Sequence, residues 1–125
     1  MMERRDIGKI GEDTACQYLA NCGHLILARN WRGGREELDI VTLAPDGLHF
    51  VEVKTRMAPA SAPPQDSVDY RKQQHVAAAA RRFLRDKEHA KYAGHEIFFD
   101  VVAVTLDGDH AGIEYFPAAF VPIYT

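Results

Sequence analysis

The sequence predicts an α/β domain, a mixed central β-sheet flanked by helices, and three observations carry that prediction. An amphipathic helical pattern opens the chain. Two strand-like runs meet at a hairpin signal, Pro45-Asp46-Gly47, and a second helical pattern separates that hairpin from an apolar strand rich in Val and Phe. The element order reads α-β-β-β-α-β-β, which gives the sheet an antiparallel start.

Residues 6–22 have helical spacing, with Ile7, Ile10, Thr14, Tyr18 and Cys22 on one face. Asp6 is placed to cap the N-terminus, and Gly23 stands where a C′ glycine belongs. Gly8 and Gly11 let this helix approach a strand closely. Residues 24–31 read as a strand and Arg32-Gly33-Gly34-Arg35 as a turn. Glu37–Leu43 and Leu48–Met57 read as the two hairpin strands, followed by a Pro-rich flexible loop over 58–66. The second helix is expected from Ser67 to about Lys91, with Val76, Ala79, Ala80, Phe83 and Leu84 inward. Glu96–Leu106 is an apolar strand turned at Asp107-Gly108-Asp109, and 113–124 is a last extended segment.

A chain of 125 residues is expected to form one domain, residues 1–125, with enough core to fold without a disulfide or metal staple. No apolar run approaches the roughly 18 residues of a membrane span, and the charged N-terminus carries no signal-peptide pattern. Cys16 and Cys22 point in different directions on one helix and read as reduced thiols, so the expected location is cytoplasmic, with no membrane partner. The net charge is −3, yet all 15 Lys and Arg fall within residues 1–91. Residues 92–125 carry only acids: Glu96, Asp100, Asp107, Asp109 and Glu114. That distribution permits a phosphate polymer without pointing to one.

The chemistry concentrates in Glu37-Leu38-Asp39 and Glu52-Val53-Lys54. With Asp46-Gly47 as a two-residue turn, Val41 faces Glu52, Asp39 faces Lys54 and Glu37 faces Arg56. Alternation then puts Glu37, Asp39, Glu52 and Lys54 on one side of the sheet, and a turn changed by two residues keeps those faces. Carboxylates crowded on a half-buried surface repel unless a cation lies between them. Mg²⁺ takes one or two carboxylates and fills its remaining positions with water and phosphate oxygens. Lys54 is then placed to orient a water or to stabilise developing negative charge. Helical angle also sets Glu12 beside Ala15 and Leu19, at the edge of the apolar face.

Blander readings compete with each of these. Glu-x-Lys occurs by chance in many chains of this length and on a strand often marks an alternating solvated face. What lifts it here is Val51 and Val53 around it and Asp39 across the hairpin. Arg81-Arg82-Arg85 reads first as a solvated helix face and second as a nucleic-acid patch. The six histidines show no ligand spacing and read as surface or core residues, and Trp31 and Tyr18 read as core.

Taken together, Ile7-Gly8-Lys9-Ile10-Gly11-Glu12-Asp13-Thr14-Ala15, Tyr18-Leu19, Ala28-Arg29-Asn30-Trp31-Arg32, Glu37-Leu38-Asp39 and Phe50-Val51-Glu52-Val53-Lys54-Thr55-Arg56 resemble the bacterial YraN-type family. Lys72, Phe99-Asp100-Val101-Val102-Ala103-Val104 and Ala119-Phe120 extend the match over nearly the whole chain. That family is similar to the PD-(D/E)xK restriction-endonuclease-like superfamily, with archaeal Holliday junction resolvases as structural relatives. The resemblance implies a restriction-endonuclease-like α/β fold, Mg²⁺ or Mn²⁺ dependence and DNA phosphodiester hydrolysis. It implies Asp39, Glu52 and the Val53 carbonyl as metal ligands, Lys54 as the catalytic lysine, and Glu12 and Glu37 as further catalytic acids. Arg56 and Lys72 would contact substrate. The sequence departs from the family pattern at Glu36, where Gly is usual, and at Phe98-Phe99.

The expectation is a Mg²⁺-dependent endonuclease acting on DNA, at branched or damaged structures, and working as a homodimer if junctions are the target. The alternatives are a non-catalytic nucleic-acid-binding or repair-accessory module of the same fold, and a structural adaptor docking a protein through its acidic C-terminal third.

Overall fold

The computed structural model describes residues 3–59 and 68–121. Its elements are α1 (Arg4–Asn21), β1 (Leu25–Gly33), β2 (Glu36–Ala44), β3 (Gly47–Met57), α2 (Tyr70–Arg85), a 3-10 helix (Lys87–Tyr92), β4 (Ile97–Asp107) and β5 (His110–Phe120). They form the expected α/β architecture: one five-stranded sheet in the order β1-β2-β3-β4-β5, flanked by helices. β3 and β4 run parallel and every other neighbouring pair antiparallel, so the sheet is mixed, with α2 in the crossover that a parallel pair requires. Most of the predicted loop 58–66 and the tail of the predicted segment 113–124 lie outside the described residues.

Each face of the sheet carries one core. Leu38, Val41, Leu48, Phe50 and Phe99 pack against Val76, Ala79, Ala80 and Phe83 of α2. The fully buried rings of Phe50 and Phe83 meet edge to face at 5.8 Å, and each contributes roughly 1.5–3 kcal/mol by burial. On the other face Ile40, Val51, Val102, Val104 and Leu106 pack against Ala15, Cys16 and Leu19 of α1.

Three local expectations are corrected. First, α1 buries Gly11, Ala15, Cys16 and Leu19, whereas Ile10 is 37% exposed and Cys22 lies in solvent, so the helix is turned away from the predicted face. The small residues win because a Cβ at Gly11 would overlap the Thr55 side chain, and the bare backbone lets α1 lie directly on β3. Its N-cap is Glu3, without a side-chain hydrogen bond, and Asp6 sits in the first turn, where its charge favours the helix dipole.

Second, the hairpin turn is Pro45-Asp46, because Ala44 pairs with Gly47 and Ile40 with Val51. Val41 therefore faces Phe50, a two-residue slip from the predicted register that preserves the faces. Third, α2 spans Tyr70–Arg85 rather than Ser67–Lys91. Asp69 caps its start by accepting the Lys72 N–H at 2.9 Å. At the other end Asp86 is extended (ψ 132°) and its side chain accepts the Glu88 N–H, which starts the separate 3-10 helix.

Candidate active site

Beyond the Ile40–Val51 pair the Asp39 side chain, not its backbone, reaches β3 and accepts the Val53 N–H at 2.9 Å. A carboxylate thus stands where a ladder bond would run and fixes Asp39 beside Glu52-Val53-Lys54. On the other side of β2, Asn30 of β1 has φ +50°, a left-handed value that Asn tolerates better than most residues. The β1–β2 register passes from Arg29–Ile40 to Trp31–Leu38 across Asn30 and Asp39. Leu38 and Val41 consequently share one core, which strict alternation between them would forbid.

Glu52 is the deepest charged group of the cluster, 2% exposed. Burial first, and the neighbouring Asp39 second, push its carboxyl up to about 7. One oxygen, Oε1, is held by Lys72 Nζ at 3.1 Å, while Oε2 is buried with no hydrogen-bond partner. Burial also raises Asp39, opposed by the Val53 N–H and by Lys72, with Glu37 adding to the rise and Lys54 opposing it. Lys72 is raised: desolvation opposes its charge, and Glu52, Asp39 and Glu37 outweigh that. Glu12, half-buried on α1, is raised by burial and by Asp39, while the neighbouring Asn30 amide and the charge of Arg29 pull the other way.

The fold therefore gathers Glu12, Glu37, Asp39, Glu52, Lys54 and Lys72 into one electrostatic neighbourhood. Glu37 pairs with Arg32 at 3.3 Å at the rim. Arg56 is turned differently: its Nε donates to Thr105 Oγ1 at 3.3 Å on β4, the side of β3 away from Asp39. Lys72, expected to contact substrate, lies inside the carboxylate cluster.

The donor set suits Mg²⁺ or Mn²⁺. Two crowded carboxylates with raised affinity for protons and one buried oxygen lacking a partner match an ion that takes one or two carboxylates. Glu12, Asp39 and Glu52 do not draw their ligand atoms within 4.8 Å of one another as a set. Among the described residues the set that does so is Asp86, Glu88 and His89, which is largely exposed.

Two features escaped the sequence reading. Asn30 was part of a motif without a role, and its only local signal was a poor strand former inside a strand-like run. The other is a buried network further toward the start of β3. Asp100, wholly buried, accepts from Tyr115 Oη and the Ala118 N–H and is bonded to His49 Nδ1 at 2.6 Å, while His49 Nε2 meets Asp46 at 2.7 Å. A lone acid inside the apolar run Phe98–Leu106 was its signal.

Fold and site together define the class: an α/β domain with a five-stranded mixed sheet and a carboxylate–lysine cluster where β2 and β3 part. The family model described as Uncharacterised protein family UPF0102 matches residues 11–104, and the chain belongs to that family, the YraN family of the sequence resemblance. The UPF0102 protein of Stutzerimonas stutzeri is 39% identical over 120 residues, covering 96% of this chain and 98% of the relative. That of Syntrophotalea carbinolica is 41% identical over 118 residues, covering 94% of each. Among solved structures, Pyrococcus furiosus SfsA in complex with Ca²⁺ aligns with a TM-score of 0.40 and 16% identity over 92% of this chain and 63% of SfsA, a likeness too slight to bear on function. Among the described residues no helix is long and apolar enough to cross a membrane.

Proposed function

We propose that this protein is a metal-dependent endonuclease that hydrolyses DNA phosphodiester bonds, with branched or damaged DNA as its substrate. The observation that carries the reading is Glu52: a buried carboxylate with an unpartnered oxygen, next to a second carboxylate, on a fold that could have placed apolar residues there. Asp39, Glu52 and the Val53 carbonyl would hold Mg²⁺ or Mn²⁺. Bound there, the ion supplies an acidified water and neutralises charge on the phosphate.

The chain's own residues do the rest. Lys54, beside Asp39, donates to the attacking water or to a non-bridging phosphate oxygen. Glu12, with its raised affinity for a proton, is placed to take or return a proton at the cluster's edge. Lys72 neutralises Glu52 and keeps it in one rotamer. Two equivalent cuts in a junction would call for two copies of the chain.

Cleavage of four-way junction, flap and linear DNA with Mg²⁺ or Mn²⁺ tests the proposal. Activity should fall by about a hundredfold or more in Asp39→Ala and Lys54→Ala. Cleavage that survives both substitutions would assign the activity to a contaminant. One observation favours a non-catalytic DNA-binding module instead: Lys72 already supplies a cation to Glu52. DNA binding without cleavage would favour that module whether or not it keeps the metal, and calorimetry without saturable Mg²⁺ or Mn²⁺ uptake would favour the structural adaptor.

A further inference from the structure

Two clefts with basic linings flank the carboxylate cluster, and they differ in whether their cations are free. The cleft beside α1, about 550 Å³, is lined by Arg5, Gly8, Lys9, Glu12, Arg29 and Asn30. Its cations are engaged: Arg5 with Glu3 at 3.2 Å, and both Lys9 and Arg29 with Asp13 at 3.0 and 2.6 Å. The second cleft, about 390 Å³, lies where the β1–β2 turn meets the end of α2, lined by Trp31, Gly33, Gly34, Arg82, Arg85 and Asp86. Neither Arg82 nor Arg85 has an acidic partner within 4.0 Å among the described residues. Asp86 is occupied by the Glu88 N–H at 3.2 Å and lies 3.9 Å from His89 Nδ1.

Arg82 is an exposed side chain that rests against the β1–β2 turn. Its guanidinium lies over Gly34, so close that a Cβ there would sit 2.8 Å from Nη1, and Gly34 has φ +64°, which glycine adopts without strain. Trp31, packed edge to face on Phe83 at 5.4 Å, walls the cleft. A planar guanidinium held against a glycine turn, with a second arginine one helical turn away, is a fork suited to phosphate oxygens.

We propose that Arg82 and Arg85, with the Gly33-Gly34 turn, form a phosphate-binding subsite for the DNA backbone outside the cutting site. This rests on the DNA reading above. The position fits a continuous strand: Lys72 marks the carboxylate cluster on α2, and Arg82 lies ten residues further along, roughly 15 Å at the rise of an α-helix. That distance corresponds to about four nucleotides of one strand of B-form DNA at ~3.4 Å each. The subsite offsets the repulsion between a polyanion and the acids Glu12, Glu37, Asp39 and Glu52, and it reads backbone, not bases.

The test is fluorescence anisotropy of the whole protein with labelled duplex and four-way junction DNA in EDTA, at several salt concentrations. Arg82→Ala/Arg85→Ala should lower the salt slope by about 2 and weaken binding by tens of fold near 0.1 M salt, equally for unrelated sequences. Lys87→Ala/Lys91→Ala removes the same charge from the neighbouring 3-10 helix and should leave affinity within about twofold. Gly34→Asn keeps every charge and tolerates the positive φ, but its Cβ displaces the guanidinium and should weaken binding several-fold. Thermal melts identify any variant that fails to fold, and the three comparisons do not all depend on one variant. An arginine double variant that binds like wild type would overturn the subsite, as would a lysine double variant that loses as much. A wild type that binds DNA but never cleaves it would remove the nuclease reading and leave the subsite standing. A wild type that binds no DNA would overturn the subsite.

Discussion

Asp100 and Glu52 are both buried acids reached through β3, and their surroundings differ completely. Asp100 Oδ2 is bonded to His49 and Tyr115 and Oδ1 to the Ala118 N–H, so both oxygens are spoken for. Burial opposes a charge on His49, but its hydrogen bonds to Asp100 and Asp46 outweigh that and hold its pKa above the ordinary histidine value. Burial and Asp100 likewise keep Tyr115 protonated far above its usual range. Glu52 has one partner for one oxygen, none for the other, and a like charge beside it. A fully satisfied network specifies structure, whereas a half-satisfied one carries a standing cost that a ligand can relieve.

The comparison can be broken at either pole. Asp100→Ala should be the most damaging substitution, about 3–5 kcal/mol, since it leaves His49 Nδ1, the Tyr115 hydroxyl and the Ala118 N–H without their shared partner. Urea unfolding would measure it, and a loss below about 1 kcal/mol would mean the network is not structural. At the other pole, Mg²⁺ at about a hundred times its dissociation constant should add ~2.7 kcal/mol, read as a rise in Tm, and Asp39→Ala should abolish the rise.

Asn30 sharpens the boundary between the two regions, because it stands, in a left-handed conformation, beside Asp39 in the β1–β2 register and its amide opposes the burial that raises the Glu12 pKa. Asn30→Ala should cost about 1–2 kcal/mol of strain at φ +50°, which Asn30→Gly recovers. Equal melting curves for the two variants would show that the backbone conformation is not under tension.

The smallest effect has the opposite sign. Without metal, Glu52→Gln should leave stability at pH 8 unchanged or higher by up to about 1 kcal/mol, because it removes a buried charge next to Asp39. The pH profile follows from the raised pKa. The folded state binds the Glu52 proton more tightly than the unfolded one, so this contribution is complete below pH 4.5 and is lost as pH rises to about 7. His49, also raised, contributes fully below its ordinary 6.5 and loses that contribution above it, a higher window. Glu52→Gln should flatten only the lower window, and a wild-type stability curve already flat between pH 4.5 and 7 would contradict the burial of a carboxylate that keeps one oxygen without a partner.

Much of the architecture was legible because it rests on short-range rules. The helix through Val76, Ala79, Ala80 and Phe83 follows from spacing, and the hairpin from Pro45-Asp46-Gly47. The site's residues were legible as an inventory, but alternation did not place them: Leu38 and Val41 share one core, and Asp39 meets β3 by accepting the Val53 N–H. The face of α1 was not legible, because its apolar moment lay toward Ile10 while contact with Thr55 selected the small residues around Gly11.

By itself, then, the sequence determined the elements, their order, the mixed sheet and the carboxylate–lysine inventory, since propensity and alternation act over a few residues. Only the tertiary structure decided that Asp39 replaces a ladder bond at Val53, that Lys72 reaches into the cluster, and that Glu52 keeps one oxygen without a partner. Those are properties of groups distant in the chain, fixed by how closely two helices and a sheet can pack, and no local pattern encodes them.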